Sequence, residues 1–302
     1  MAAEGIGHGK IILLGEHSVV YGRPALAVAI ARGCRASAEP AAESSLLVEP
    51  WGVRVFAHRP ETEERSENLR EAFRRVSEHY AQPLAVVARM EIPGGAGLGG
   101  SAAMSVAVIR ACDAAVGVSR NDAEILEISL EWERVFHAYP SGVDSAMATR
   151  GGVALYRKGE PMSMVAALPG VVLAVAHSGE ERQASTTISS VKRQHDANPT
   201  KLNMVFDAIG ELVERGRAAL ERGELADLGY CMNRNQALLS ALLVSTAKLE
   251  ELCQRARDAG ALGAKLTGAG GGGCMIALGR DRAHASELAV LLGPDSFVVE
   301  VT

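Results

Sequence analysis

Residues 93–106 read Pro-Gly-Gly-Ala-Gly-Leu-Gly-Gly-Ser-Ala-Ala-Met-Ser-Val, a glycine-packed loop that runs directly into small residues suited to a helix. This stretch restricts the fold more than any other. Glycines at 94, 95, 97, 99 and 100 remove the Cβ atoms that would hold an anion away from peptide N–H groups, and they admit positive φ angles. A helix opening near Ser101 aims its unpaired N–H groups and its dipole at the same place. The expected ligand is a phosphate. On local grounds the segment is also compatible with a plain turn between strand and helix.

Two other glycine loops imply different proteins. A Walker loop needs Gly, four residues, then Gly-Lys-Ser/Thr; Gly5 to Lys10 is one residue short and continues into Ile11. Gly95-Ala-Gly-Leu-Gly-Gly100 satisfies the dinucleotide fingerprint, which also requires an acid about 20 residues on, at the end of a second strand. Asp113 comes too early, inside the helix, and Glu124 belongs to a further helical pattern. A nicotinamide or flavin enzyme is the weaker alternative.

The 302 residues, 48% of them hydrophobic, can bury a substantial core, and the length predicts two domains. Thirty-one basic against 36 acidic side chains, a formal charge of −5, argue against nucleic acid or an acidic membrane as partner. A small molecule is expected. No apolar run reaches the ~20 residues that span a bilayer, and the first ten residues have neither a basic n-region nor an apolar h-region, so the expected location is cytoplasmic. Cys34, Cys112, Cys231, Cys253 and Cys274 form no Cys-x-x-Cys pair. Neither a disulfide framework nor a zinc site is indicated; buried, reduced thiols are expected.

Strand-like runs fall at 10–14, 26–31, 45–49, 53–58 and 84–92, and helical periodicity at 67–80, 101–116 and 121–136. A strand pair, 151–157 and 170–176, brackets a polar stretch and puts a domain boundary near 165. Beyond it the pattern predicts helices at 184–195, 201–221, 224–242 and 246–259, the last capped by Ser245 or Thr246 and stopped at Gly260. Strands follow at 261–266, 273–278 and 297–301. The class is α+β, with domains 1–165 and 166–302. A second glycine run, Gly268 to Gly273, lies between two strands and cannot open a helix; locally it reads as a β-turn.

Three segments recur in order: Gly9-Lys10-Ile-Ile-Leu-Leu-Gly15-Glu16-His17-Ser18-Val-Val-Tyr21-Gly22, the loop at 93–102, and Lys265-Leu-Thr267-Gly-Ala-Gly-Gly-Gly-Gly-Cys274. Together they resemble the three motifs of the galactokinase, homoserine kinase, mevalonate kinase and phosphomevalonate kinase (GHMP) superfamily. Within it, the first and third segments and Pro140-Ser-Gly-Val-Asp144 are most similar to the mevalonate kinase family, as are Met232-Asn-Arg-Asn-Gln-Ala-Leu-Leu, Val244-Ser-Thr and Leu249. The likeness covers nearly the whole chain and is weakest over 33–80. It implies a two-domain small-molecule kinase fold: an N-terminal mixed β-sheet domain with helices, a C-terminal ferredoxin-like α+β domain, and an active site in the cleft between them.

Moving a γ-phosphoryl group to an alcohol needs a nucleotide cradle, a divalent metal, a group that orients or deprotonates the hydroxyl, and a cation for the equatorial oxygens. The resemblance implies that Pro93, Gly94, Gly95, Ala96, Gly97, Leu98, Gly99, Gly100, Ser101 and Ala102 hold ATP. It further implies that Ser101 and Glu133 ligate Mg²⁺, that Asp144 is the catalytic aspartate with Lys10 as its partner, and that Glu16, His17 and Gly270 contact the substrate. The implied reaction is ATP-dependent phosphorylation of (R)-mevalonate to 5-phosphomevalonate for isoprenoid synthesis, carried out by a homodimer. Phosphomevalonate, homoserine or a sugar is the alternative acceptor. Arg182 is a candidate for the substrate carboxylate, in a register ambiguous by a residue or two. Apart from the resemblance, Glu133 reads as a solvated helix charge, Asp144 as an N-cap before Ser145-Ala-Met-Ala, and Glu16-His17 as a surface turn.

The chain departs from the family wording at three places. His8 stands where proline is usual, Gly100 replaces the first serine of the phosphate loop, and Ala138 and Tyr139 add bulk before Pro140. These changes bear on affinity and substrate size. A non-catalytic, ligand-sensing relative would have lost the metal ligands or the aspartate, and this chain retains both.

Overall fold

The computed structural model describes residues 3–49, 51–61, 63–136, 142–166, 170–180 and 184–301. Its elements in chain order are β1 (Ala3–Leu14), β2 (Ala25–Pro40), β3 (Ser45–Glu49), β4 (Val53–Phe56), α1 (Glu64–Ser77), β5 (Leu84–Met90), α2 (Gly100–Val116), α3 (Asp122–Phe136), α4 (Val143–Arg150), β6 (Val153–Tyr156), β7 (Ser163–Val165), β8 (Val172–His177), α5 (Ala184–Ala197), α6 (Pro199–Arg222), α7 (Leu225–Ala241), α8 (Ala247–Asp258), β9 (Gly263–Leu266), β10 (Cys274–Leu278), α9 (Arg282–Leu292) and β11 (Phe297–Glu300). They form two compact units. The first comprises residues 1–10, 32–94 and 99–151, and the second 11–31, 95–98 and 152–302.

In the first unit β3 pairs antiparallel with β4 and parallel with β5, and β5 pairs antiparallel with the second half of β2, Cys34 opposite Met90. α2 packs against α3, α4 and β5, and α1 against α3. Buried residues run nearly all round α2, among them Ala103, Met104, Val106, Ala107, Val108 and Ile109, as expected of a helix enclosed by other elements. β1 meets this helix through glycine. A Cβ on Gly7 would lie 2.0 Å from the Ala103 carbonyl oxygen, and one on Gly5 2.2 Å from that of Ala107. The strand backbone therefore rests directly on the alanine side of the helix. For the same reason β1 starts at Ala3, well before Lys10: Gly5 and Gly7 look like breaks in sequence but are positions of close approach.

The second unit is built on an antiparallel sheet ordered β11-β8-β10-β9. With helices between β8 and β9 and α9 between β10 and β11, the chain follows the βαββαβ course of a ferredoxin-like domain. Its core joins Val191, Phe206, Leu239 and Leu249 to Ala176, Leu266, Met275 and other sheet residues. Here too belong the first half of β2, paired with β6, and β7 beyond it. Thr246 caps α8 by accepting from the Leu249 amide at 3.2 Å. The five cysteines are buried and none of them is in a disulfide. Among the described residues no helix is long and apolar enough to cross a membrane.

Candidate active site

The glycine loop has the backbone its composition calls for. Gly95, Gly97 and Gly99 take φ of 71°, 82° and 74°, a region that residues with a Cβ seldom occupy. Ala96 and Leu98 between them are buried and anchor the loop. Gly99 immediately precedes α2, no side chain caps that helix, and its first turn carries no acidic residue. The helix thus puts no capping side chain and no acid of its own on the N–H groups at its positive end, as a phosphate site requires.

Lys10 is buried, and its stem lies along the start of α2: a Cβ on Gly99 would come within 2.9 Å of Lys10 Cγ. Its Nζ is 3.3 Å from Asp144 Oδ1. A buried ammonium demands such a partner, while the Asp144 side chain stays 39% exposed and accessible to a ligand. Asp144 lies in the first turn of α4, whose N-cap is Gly142 with φ 81°. The helix-cap reading of Asp144 is thereby excluded.

Glu133 projects from α3 into the interior and is 4% exposed, so it is not a solvated helix charge. Ser101 Oγ donates to its Oε1 at 2.6 Å and accepts from Trp132 Nε1 at 3.1 Å. Burial pushes the Glu133 carboxyl up to about 7; the Ser101 bond and Lys10 oppose that shift, and the Asp144 charge adds to it. Among the described residues no cluster of three or more His, Cys, Asp or Glu could hold a metal. Two hard oxygens at hydrogen-bond distance suit a divalent ion that brings its remaining ligands from phosphate and water.

In the second unit Glu16 and His17 are both buried, which excludes a surface turn. His17 holds φ 62°, unusual for a residue with a Cβ, and its Nε2 lies 2.8 Å from the Ala269 carbonyl oxygen. Burial lowers its pKa against the opposing effect of that bond, so the ring is neutral at pH 7, donates through Nε2 and leaves Nδ1 as an acceptor. Glu16 Oε1 accepts from Lys265 Nζ, which also donates to the Leu266 carbonyl at 2.6 Å. Lys265 is wholly buried, and desolvation lowers its pKa while Glu16 opposes the shift. Gly270, at φ 72°, lies so close to Val244 that a Cβ would come within 2.2 Å of its carbonyl oxygen.

Sequence reasoning missed three residues of this cluster. Lys265 pairs with Glu16, Asn235 Oδ1 accepts from the Gly15 amide at 3.2 Å, and Gln236 Oε1 accepts from the Leu266 amide at 2.8 Å. The available signal was polar residues inside otherwise apolar elements, such as lysine between Ala264 and Leu266. Ala138, Tyr139, Pro140, Ser141 and Arg182 lie outside the described residues.

Residues 67–152 match the family described as GHMP kinases N terminal domain, and residues 217–290 match GHMP kinases C terminal. The mevalonate kinase of Aeropyrum pernix is 36% identical over 92% of this chain and 88% of its own. That of Pyrococcus furiosus is 34% identical over 97% and 94%. Among solved structures, L. major mevalonate kinase in complex with R-mevalonate has a TM-score of 0.87 at 28% identity, covering 100% of this chain and 96% of the other. The fold and its phosphate loop are those of a small-molecule kinase. The chain belongs to the GHMP kinases and, within them, to the mevalonate kinase family. Membership brings ATP as the phosphoryl donor.

Proposed function

We propose that this chain transfers the γ-phosphoryl group of ATP to the terminal hydroxyl of (R)-mevalonate, giving 5-phosphomevalonate. The observation that carries the reading is the Lys10–Asp144 pair, 3.3 Å apart, with the lysine stem against the glycine that opens α2. A cation and a proton acceptor thus flank a phosphate cradle, in a chain whose curated relatives over nearly its full length are named mevalonate kinases.

The loop of residues 93–102 holds the nucleotide phosphates through the backbone N–H groups of 94–102, Pro93 having none to offer. Asp144 orients the acceptor hydroxyl and takes its proton; the loose transition state of phosphoryl transfer asks little of a base, so orientation is the larger share. Lys10, paired with Asp144, stabilises charge on the incipient alkoxide and the moving phosphoryl group. Ser101 and Glu133 would hold Mg²⁺, which when bound neutralises charge on the phosphate oxygens. For that Glu133 must lose its proton and Ser101 must turn its hydroxyl hydrogen away from it. Glu16, His17 and Gly270 contact the acceptor, with neutral His17 offering Nδ1 to a substrate hydroxyl. A cytoplasmic homodimer belongs to the same proposal and rests on the family likeness.

A coupled ADP-release assay with mevalonate, phosphomevalonate, homoserine and galactose side by side tests the choice of acceptor. Release with mevalonate is expected; release only with another of the four overturns it.

A further inference from the structure

Three buried serines join the helices that carry Ser101, Glu133 and Asp144. Ser105 is one helical turn beyond Ser101 on α2, Ser129 one turn before Glu133 on α3, and Ser145 follows Asp144 on α4. Ser105 Oγ donates to Ser129 Oγ at 2.8 Å, and Ser129 Oγ donates to Ser145 Oγ at 2.9 Å. Their exposures are 0%, 0% and 1%. Thr149, one turn on along α4, donates to the Ser145 carbonyl at 2.8 Å.

A row of hydroxyls is a costly way to fill such a seam. Alanine would pack there without desolvation, and α2 uses alanine at Ala103, Ala107 and Ala111. Hydroxyl relays offer what apolar contact does not: O–H···O bonds hold heavy atoms at a narrow separation and direction, and successive bonds polarise one another. Ser129 is the middle rung, accepting from one helix and donating to the other. Each of the three helices therefore carries one site residue and one rung.

We propose that the Ser105–Ser129–Ser145 relay is a positioning device that fixes the separation of Ser101 and Glu133 from Asp144, and hence the geometry of the metal-bearing nucleotide against the acceptor. It rests on the reading of Ser101 and Glu133 as metal ligands. Ser129→Ala removes both inter-helix bonds and Ser105→Ala only one, so their effects are graded.

The test titrates Mn²⁺ with a non-hydrolysable ATP analogue into the full chain by calorimetry, alongside melting curves. Ser129→Ala should weaken Mn²⁺–analogue binding and lower kcat by about 10-fold each, the scale seen when groups supporting a metal ligand are removed, with Ser105→Ala between it and the unmodified chain. Val108→Ala, which opens a cavity in the same helix at a fully buried residue, should lower Tm comparably and leave metal affinity within about twofold. Unchanged affinity in Ser129→Ala, or an equal loss in Val108→Ala at matched Tm, overturns the relay. Should Ser129→Ala fail to fold, Ser105→Ala against Val108→Ala decides by the same criterion. Glu133→Gln separates the two levels: if it binds the Mn²⁺ analogue as tightly as the unmodified chain, the ligand reading beneath the relay fails, whereas weak binding there with unaltered Ser129→Ala sinks the relay alone.

Discussion

Glu133 is a carboxylate in a place that resists its charge. Its pKa, held up to about 7 by burial, lies above the unfolded value of about 4.3. Between those two pH values the folded chain binds a proton that the unfolded chain has released, so stability falls as pH rises through that window. Glu133→Gln removes the penalty. Without ligands the variant should melt a few degrees above the unmodified chain at pH 8, and the gain should shrink to about a third of that at pH 5. Calorimetry at both values checks this; an equal difference at the two contradicts it. Asp144→Asn, by contrast, should fold normally and lose ~10²-fold or more in kcat, and near-normal turnover would remove Asp144 from the chemistry. The identities of Lys10, Ser101, Glu133 and Asp144 were legible because each stands in a motif segment or at a fixed distance from one. The burial of Lys10 and Glu133 was not. Hydropathy alone assigns a helical glutamate to solvent, and the partner of Glu16 is Lys265, 249 residues away along the chain, where local pattern carries no information.

At the scale of elements, turns and caps were the readable part. The loop glycines with positive φ, the Thr246 cap of α8 and the turn between β9 and β10 all follow from local residue chemistry. Several elements were read short or passed over, the short α4 and β7 among them. β1 and β2 extend through glycines that look like strand breaks, and α9 follows an Asp281 cap, whose side chain accepts from the His284 amide at 2.8 Å, in a stretch so alanine-rich that its periodicity is faint. One tertiary link binds elements far apart in sequence. Thr267 Oγ1 donates to the Ile12 carbonyl and accepts from the Ile12 amide, both at 3.0 Å, a side chain acting as a strand partner. Thr267→Val keeps the shape and strips both bonds, so stability should fall by about 1–3 kcal/mol. Urea unfolding checks this, and an unchanged midpoint would mean that the link contributes nothing.

Across the whole molecule, the chain passes from one compact unit to the other inside β1, between Lys10 and Ile11, and inside β2, between Ala31 and Arg32. No proline-rich or polar linker marks these crossings, because a continuous strand needs none. The ferredoxin-like order of β8 to β11 was likewise implied only by family likeness, since strand pairing across long helical insertions leaves no periodic signal. Metal should matter to catalysis and not to folding: the described residues offer two hard oxygens and no larger cage. Chelation with EDTA should therefore abolish turnover, restored by added Mg²⁺, while leaving the Tm of the unliganded chain within about a degree; a collapse in Tm would mean a structural ion. The central claim, phosphoryl transfer to mevalonate, is tested most directly by the product itself. Incubation with ATP and (R)-mevalonate, followed by phosphorus NMR and mass spectrometry, should yield one phosphate ester on the terminal hydroxyl for each ADP formed. ADP appearing with free phosphate and unaltered mevalonate would contradict it.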